Sequence, residues 1–292
     1  MQDHPHIVTF VGALAEERLR GSRAATLNGI TRRGFYLRLD SQWIVFVSLD
    51  AFRGPLTINV RGQAQSWSSL SAGSPVEIHP ARIVLPSIDL VIDYGGAPVW
   101  QAPPASGEIL PAAQRRASLT RAAQALLTVK SDSPLGNLLP ELLGWQTTAW
   151  DSTNPYRRHL EHLRDALQNQ RVPQLVQACE PLLGLGRGLT PSGDDLILGM
   201  LLALSRWGDR LAPGWKPAAI CQRILPLAYR KTTTLAANLI ECAGRGQADE
   251  RLLLALDGIL TGAATATECA AYLAGWGSSS GLDALVGMTL VI

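Results

Sequence analysis

The sequence predicts an α+β protein: an all-β N-terminal barrel or sandwich followed by an all-α C-terminal domain. Three observations carry that reading. Residues 1–100 hold short runs of β-branched and aromatic residues separated by turn-type segments. Residues 101–111 are rich in Pro and small residues. Residues 112–292 are rich in Ala and Leu at helical spacing.

The strands come in order. Phe35–Leu39, Trp43–Val47, Leu56–Val60 and Val76–His79 are β-type runs. Asp40-Ser41-Gln42, Arg53-Gly54-Pro55 and Ser71–Pro75 supply the turns between them. Arg82–Pro86 and Leu90–Tyr94 extend the series. Short strands at this spacing predict a small barrel or sandwich. The segment Ala97–Pro111 contains Pro98, Pro103, Pro104 and Pro111 and reads as the linker. Beyond it, Leu119, Ala122, Ala123, Leu126 and Leu127 mark one helical face. Further helices are predicted over Tyr156–Gln170, Gln174–Leu183, Pro191–Trp207, Ala218–Tyr229, Leu235–Ala243, Asp249–Leu260 and Thr267–Ala274. Strands and helices do not alternate, which disfavours a dinucleotide-binding fold.

Composition narrows the function. Hydrophobic residues are 47% and charged residues 17% of the chain, against about 25% charged in typical soluble domains. The low charge favours a subunit interface, with a homo-oligomer as one form of it. A net charge of +2 gives no drive toward nucleic acid. The segment Met1–His6 has no basic n-region, so no export signal is expected. The most apolar stretch, Leu196–Leu204, falls well short of the ~20 residues a membrane span needs. Cys179, Cys221, Cys242 and Cys269 form no CxxC and read as buried thiols in a cytoplasmic protein. His159 and His162 are spaced for a metal but sit among charged neighbours, as on a solvated helix face. His79 reads as an ordinary strand residue, and His4 and His6 lie near a terminus, where order is not expected from the sequence. Trp145, Trp150, Trp207 and Trp215 lie near helix ends and read as packing or interface residues.

The sharpest motif is Gly184-Leu-Gly186-Arg187-Gly188-Leu-Thr190-Pro191-Ser192-Gly193-Asp194-Asp195, between two apolar helices. Its glycines can take positive φ and bring N–H groups to a ligand. Thr190 with Pro191 behind it, or Ser192 with Asp195 in a capping box, would start the second helix. A helix start with free N–H groups can hold an anion, and Arg187 can add charge-assisted hydrogen bonds. The two aspartates favour the helix dipole but repel an anion. They can instead hold Mg²⁺, orient an arginine or brace the loop, and any metal or cofactor remains open at this level.

The motif recurs 88 residues on, where Ser192-Gly-Asp-Asp-Leu-Ile-Leu-Gly-Met200 aligns without gaps on Ser280-Gly-Leu-Asp-Ala-Leu-Val-Gly-Met288. The shared helical glycines, 199 and 287, predict close backbone approach, because glycine there costs about 1 kcal/mol against alanine. The expectation is two helices packed together with their N-termini converging on one pocket. Lys231-Thr232-Thr233-Thr234 opens another helix and adds a third anion-friendly group. No Ser–His–Asp or Cys–His constellation is apparent, so covalent catalysis is not supported.

Gly-x-Gly-x-Gly-Leu-Thr-Pro-Ser-Gly-Asp-Asp, then Lys-Thr-Thr, then Gly-x-x-Ser-Ser-Gly-x-Asp-x-Leu-x-Gly, resembles the AllH-type subunit of oxamate carbamoyltransferase. The resemblance is strongest over residues 184–292, and Arg53-Gly54-Pro55-Leu56 looks like that family's Gly-Pro-Leu segment. It implies the reaction of oxalurate with phosphate to give oxamate and carbamoyl phosphate in allantoin catabolism, by an enzyme of several different subunits. It implies catalytic candidates Asp194, Asp195 and Asp283. It implies ligand-binding candidates Gly186, Gly188, Thr190, Ser192, Gly193, Thr232, Thr233, Ser279, Ser280 and Gly281, to which Arg187 and Lys231 are added on their charge beside the helix starts. The implied partners are a small anionic substrate and the other subunits. Two positions depart from the family: Arg187 stands where Pro is common and Trp276 where His is common. Trp276 offers no acid–base group.

Overall fold

A computed structural model describes residues 7–62, 67, 69–129, 132–145 and 154–292. His4, His6 and Trp150 lie outside the described residues. The chain divides into two compact units, Met1–Pro103 and Pro104–Ile292.

In the first unit the strands are β1 (Ile7–Gly12), β2 (Ala24–Thr31), β3 (Gly34–Leu39), β4 (Ile44–Ser48), β5 (Thr57–Arg61), β6 (Pro75–His79), β7 (Arg82–Leu85), β8 (Leu90–Asp93) and β9 (Val99–Trp100). They form one sheet in the order β8-β7-β6-β2-β3-β4-β5-β1-β9, curled into a half-barrel. Pairing is antiparallel except for β4 with β5 and β1 with β9. Alternating burial in β2 and β6 and the continuous apolar run of β4 turn Leu27, Val45, Val47, Val76 and Ile78 into the concave core. The Trp67 ring meets Phe35 edge-on at 5.1 Å.

The unit is not wholly β. Helix α1 (Ala13–Arg20) follows β1 directly. It buries only Leu14, Ala15 and Leu19, so its apolar face is short and gives little periodic signal. Its start is fixed by tertiary contact instead: a side chain on Gly12 would come within 2.2 Å of the Gly54 carbonyl oxygen, and Ala15 N–H donates to the Pro55 carbonyl at 2.8 Å.

The second unit is helical, with no strand among the described residues. Its helices are α2 (Ala112–Val129), α3 (Leu139–Leu142), α4 (Arg157–Gln168), α5 (Val172–Cys179), α6 (Ser192–Leu211), α7 (Pro217–Lys231), α8 (Thr234–Gly244), α9 (Glu250–Thr261), α10 (Ala266–Gly275) and α11 (Ser280–Thr289). The unbroken apolar run in α6 is buried on every side, as expected of a core helix hydrophobic all round, and α8 and α11 pack against it. No helix among the described residues is long and apolar enough to cross a membrane. All four cysteines are buried and none is in a disulfide. Residues 104–111 dock on this unit: Arg210 donates to the Gly107 carbonyl at 2.7 Å, and Leu110 N–H to the Leu260 carbonyl at 2.8 Å. Trp207 Nε1 donates to Asp257 at 2.7 Å, beside the two-pronged Arg206–Asp257 pair.

Candidate functional site

The glycine loop leaves α5 through a turn closed by Leu185 N–H to the Leu182 carbonyl at 2.9 Å. Gly184 and Gly186 have φ of +78° and +127°. A Cβ at Gly184 would press on the Lys231 carbonyl, and one at Gly186 on the Ser192 nitrogen. Gly186, Arg187 and Gly188 are exposed.

Helix α6 begins at Ser192 with Pro191 as its N-cap, and no side chain caps it. Neither expected cap forms. The N–H of Gly193 bonds to the Leu185 carbonyl at 2.9 Å, and those of Asp194 and Asp195 bond to the Pro191 carbonyl at 2.9 and 3.1 Å. The first turn therefore satisfies most of its donors internally, and hydroxyl caps are not needed.

The sequence echo is a structural repeat. Trp276 N–H bonds to the Leu273 carbonyl at 3.1 Å, and Gly281 N–H to the Trp276 carbonyl at 3.0 Å. Leu282 and Asp283 N–H then bond to the Ser279 carbonyl at 2.9 and 3.0 Å. These are the counterparts of the bonds around Leu182, Leu185, Gly193 and Pro191. A Cβ on Gly199 would lie 2.0 Å from the Ala284 carbonyl oxygen, and one on Gly287 would lie 2.0 Å from the Leu196 oxygen. Ala284 is the counterpart of Leu196, so α6 and α11 cross at a local pseudo-twofold with glycine on backbone twice.

The crossing brings the aspartates together. Asp195 and Asp283 are 1% and 0% exposed. The hydroxyls of Ser280 and Thr190 stand beside Asp195, and those of Ser192, Ser279 and Ser133 beside Asp283. Ser280 thus faces the aspartate of the first copy and Ser192 that of the second. Thr190 and Ser280 hydroxyls lie 3.2 Å apart. One oxygen of each aspartate, Oδ2, is buried without a hydrogen-bond partner. Burial pushes the Asp195 carboxyl well above the usual range, and the neighbouring Asp283 and Asp194 push it further. Burial also raises Asp283, against the pull of Ser133, Ser192 and Ser279.

Asp194 sits differently. Its Oδ1 accepts Gly184 N–H at 3.0 Å and its Oδ2 accepts the Thr232 hydroxyl. Burial raises its pKa to about 6, against those two hydrogen bonds. No basic side chain among the described residues pairs with any of the three aspartates. No group of three or more His, Cys, Asp or Glu side chains is placed to hold a metal, again among the described residues.

The remaining expected residues divide. Thr233 caps α8 by accepting Ala236 N–H at 3.1 Å and donates to the Leu189 carbonyl at 2.6 Å, which ties it to the glycine loop. Lys231 points to solvent and pairs with Glu180 at 2.7 Å. Gly281 is packed against the Leu273 carbonyl and Gly193 against that of Leu182, so both are backbone-contact positions. His159 is half-buried and His162 exposed on α4.

Two residues were not anticipated. The Ser133 hydroxyl donates to Asp283 Oδ1 and accepts Gly136 N–H at 3.0 Å. Buried Tyr156 donates to the Leu185 carbonyl at 3.3 Å and faces the Ser192 hydroxyl. The turn-type residues Asp132-Ser133-Pro134 carry no local signal that links them to position 283.

Fold and site together define a two-unit α+β protein whose helical unit carries a duplicated glycine–aspartate helix start. The family model described as oxamate carbamoyltransferase subunit AllH matches residues 182–292, which hold both copies and the Lys231–Thr233 segment, and supports an AllH-like family assignment. No solved structure matches the chain.

Proposed function

We propose that this chain is a subunit of an oxamate carbamoyltransferase-type enzyme and binds a small anion beside the paired helix starts. The observation that carries the reading is that the matched residues 182–292 contain Asp194, Asp195 and Asp283 with most of the hydroxyls around them. The ligand class is phosphate, carbamoyl phosphate, oxamate or oxalurate. Most of the helix-start N–H groups are occupied, so the anion is held by other donors: the exposed Gly186–Gly188 backbone, Arg187, and the hydroxyls of Thr190, Ser192, Ser279 and Ser280. Fixed donors of this kind are what phosphorolysis of a ureide requires as negative charge develops. The low charged fraction fits a buried contact with other subunits or a second copy, and four cysteines outside any disulfide fit a cytoplasmic setting.

The alternative is a non-catalytic ligand-binding or structural subunit of the same kind of complex. What favours it is the burial of all three aspartates. Activity of the reconstituted complex separates the two. Asp195→Asn and Asp283→Asn each abolish turnover with assembly intact if the pair takes part in the reaction. Full turnover in both variants assigns the chain to the non-catalytic role. Ligand binding is read by thermal shift: phosphate or oxamate at 100 times its dissociation constant stabilises by about 2.7 kcal/mol.

A further inference from the structure

An anion site lined by carboxylates poses an electrostatic problem. Two helix N-termini supply about half a positive charge each, against three aspartates with no basic partner. With all three ionised, about two negative charges are left over. Buried charge of that size is paired, neutralised or coordinated to metal. The unpartnered oxygens show where the imbalance falls. Asp194 uses both oxygens on Gly184 and Thr232, whereas Asp195 and Asp283 each keep a buried Oδ2 with no hydrogen-bond partner. The side chains that hydrogen-bond the pair are hydroxyls, of Thr190 and Ser280 at Asp195 and of Ser133, Ser192 and Ser279 at Asp283, so the polar atoms they offer are oxygen. Thr190, Ser192 and Ser279 are half-buried and connect the pair to the surface.

We propose that Asp195 and Asp283 together hold a hard divalent cation of the Mg²⁺ class, bridged between the two copies of the motif through their open Oδ2 atoms. Magnesium is commonly bound by one or two carboxylates, with water and anionic substrate oxygens filling its other positions. That pattern matches a site with two open carboxylate oxygens rather than a cluster of three or more acidic ligands. Oxygen-only ligands disfavour the softer transition metals. The cation also resolves the clash between carboxylates and an anion, since it presents positive charge to the ligand. Ser133 acts here as a positioning residue, fixing Asp283 Oδ1 so that Oδ2 remains the open atom. This inference rests on the anion-binding reading for its role in function, but the cation site itself needs no anion.

The test uses the full-length chain and Mn²⁺ as a paramagnetic probe for Mg²⁺, without phosphate or carbamoyl compounds. Loss of the free Mn²⁺ resonance signal is expected to report one tight site per chain, with Mg²⁺ competing for it. Asp195→Asn and Asp283→Asn are expected to abolish that site, and Ser133→Ala to weaken it by about tenfold, as loss of a partner that orients a metal ligand does. Circular dichroism checks that each variant is folded. Wild type binding no Mn²⁺ overturns the proposal, as does undiminished binding in both folded aspartate variants. If the aspartate variants fail to fold, Ser133→Ala with wild-type affinity overturns it. A phosphate titration is then run separately on the same protein. Mn²⁺ binding with no phosphate response keeps the cation site and removes the anion reading. A phosphate response with no Mn²⁺ binding does the reverse.

Discussion

The two copies of the motif share a backbone and differ in their loops. From Leu185 to Gly193 the first copy spans nine residues; from Trp276 to Gly281 the second spans six, between the same pair of hydrogen bonds. The first copy has Asp194 where the second has Leu282. Asp194 binds Gly184 N–H and the Thr232 hydroxyl, both of which belong to the longer loop or its neighbour. Leu282 has no carboxylate to play that part in the second copy, where Arg251 instead donates to the Gly275 carbonyl at 2.8 Å. The comparison separates two jobs that look alike in sequence: Asp195 and Asp283, present in both copies, are buried among hydroxyls close enough for one to raise the pKa of the other, while Asp194, present in one, braces an extended glycine loop.

The largest expected effect tests the symmetry itself. Gly199→Leu and Gly287→Leu each drive a side chain into the backbone of the facing helix, where even a Cβ would be 2.0 Å from a carbonyl oxygen. Overpacking of this kind costs typically about 1–3 kcal/mol and occasionally more, and we expect more than about 3 kcal/mol at each site. Urea denaturation measures it. Equal losses support the pseudo-twofold; a cost in only one variant breaks it.

The next effect sharpens the difference between the copies. Asp194 titrates at about 6 in the folded protein, raised from 3.8 chiefly by burial. Its folded pKa lies above its unfolded value, so the folded state holds the proton more tightly. Stability from this group is present at low pH and is lost as pH rises from about 4 to about 6, by about 3 kcal/mol in all. Asp194→Asn keeps an acceptor for Gly184 N–H and cannot ionise. The stability of the variant relative to wild type is expected to rise by that amount over the same window, read from unfolding at a series of pH values. A flat difference would mean that Asp194 is not an ionising buried strut, and the contrast with Leu282 would lose its physical basis.

Much of this was legible in the sequence, for physical reasons that differ by element. Strands such as β6 and helices such as α4 declare themselves through periodic burial, which follows from one face meeting the core, whereas β4 and α6 declare themselves as continuous apolar runs buried on both faces or all round. The packing of α6 on α11 was legible because a mid-helix glycine is costly and recurs at matched positions 199 and 287. The capping roles of Thr190 and Ser192 were misread. Local rules assign such hydroxyls to their own helix, whereas here Thr190 meets Ser280 and Ser192 turns toward Asp283. Ser133 was not readable at all, since its partner is 150 residues away. Helix α1 was hidden because a short helix fixed by Gly54 and Pro55 needs no strong pattern of its own.

The smallest effect concerns the tie between Thr233 and the first loop. Thr233 carries out two functions with one hydroxyl, accepting Ala236 N–H as the cap of α8 and donating to Leu189 in the glycine loop. Thr233→Ala is expected to cost about 1 kcal/mol, the usual loss for an N-cap threonine. Capping alone would destabilise α8 and leave the loop unchanged. The second hydrogen bond predicts more: amide exchange over residues 186–190 should quicken in the Ala variant, while residues 277–281 of the second loop keep their wild-type rates. Thr233→Ser retains the hydroxyl and should restore both stability and loop protection. Unchanged exchange in the first loop, with α8 destabilised, would show that Thr233 is a cap only. The contrast between the two loops would then rest on Asp194 and its bonds to Gly184 and Thr232.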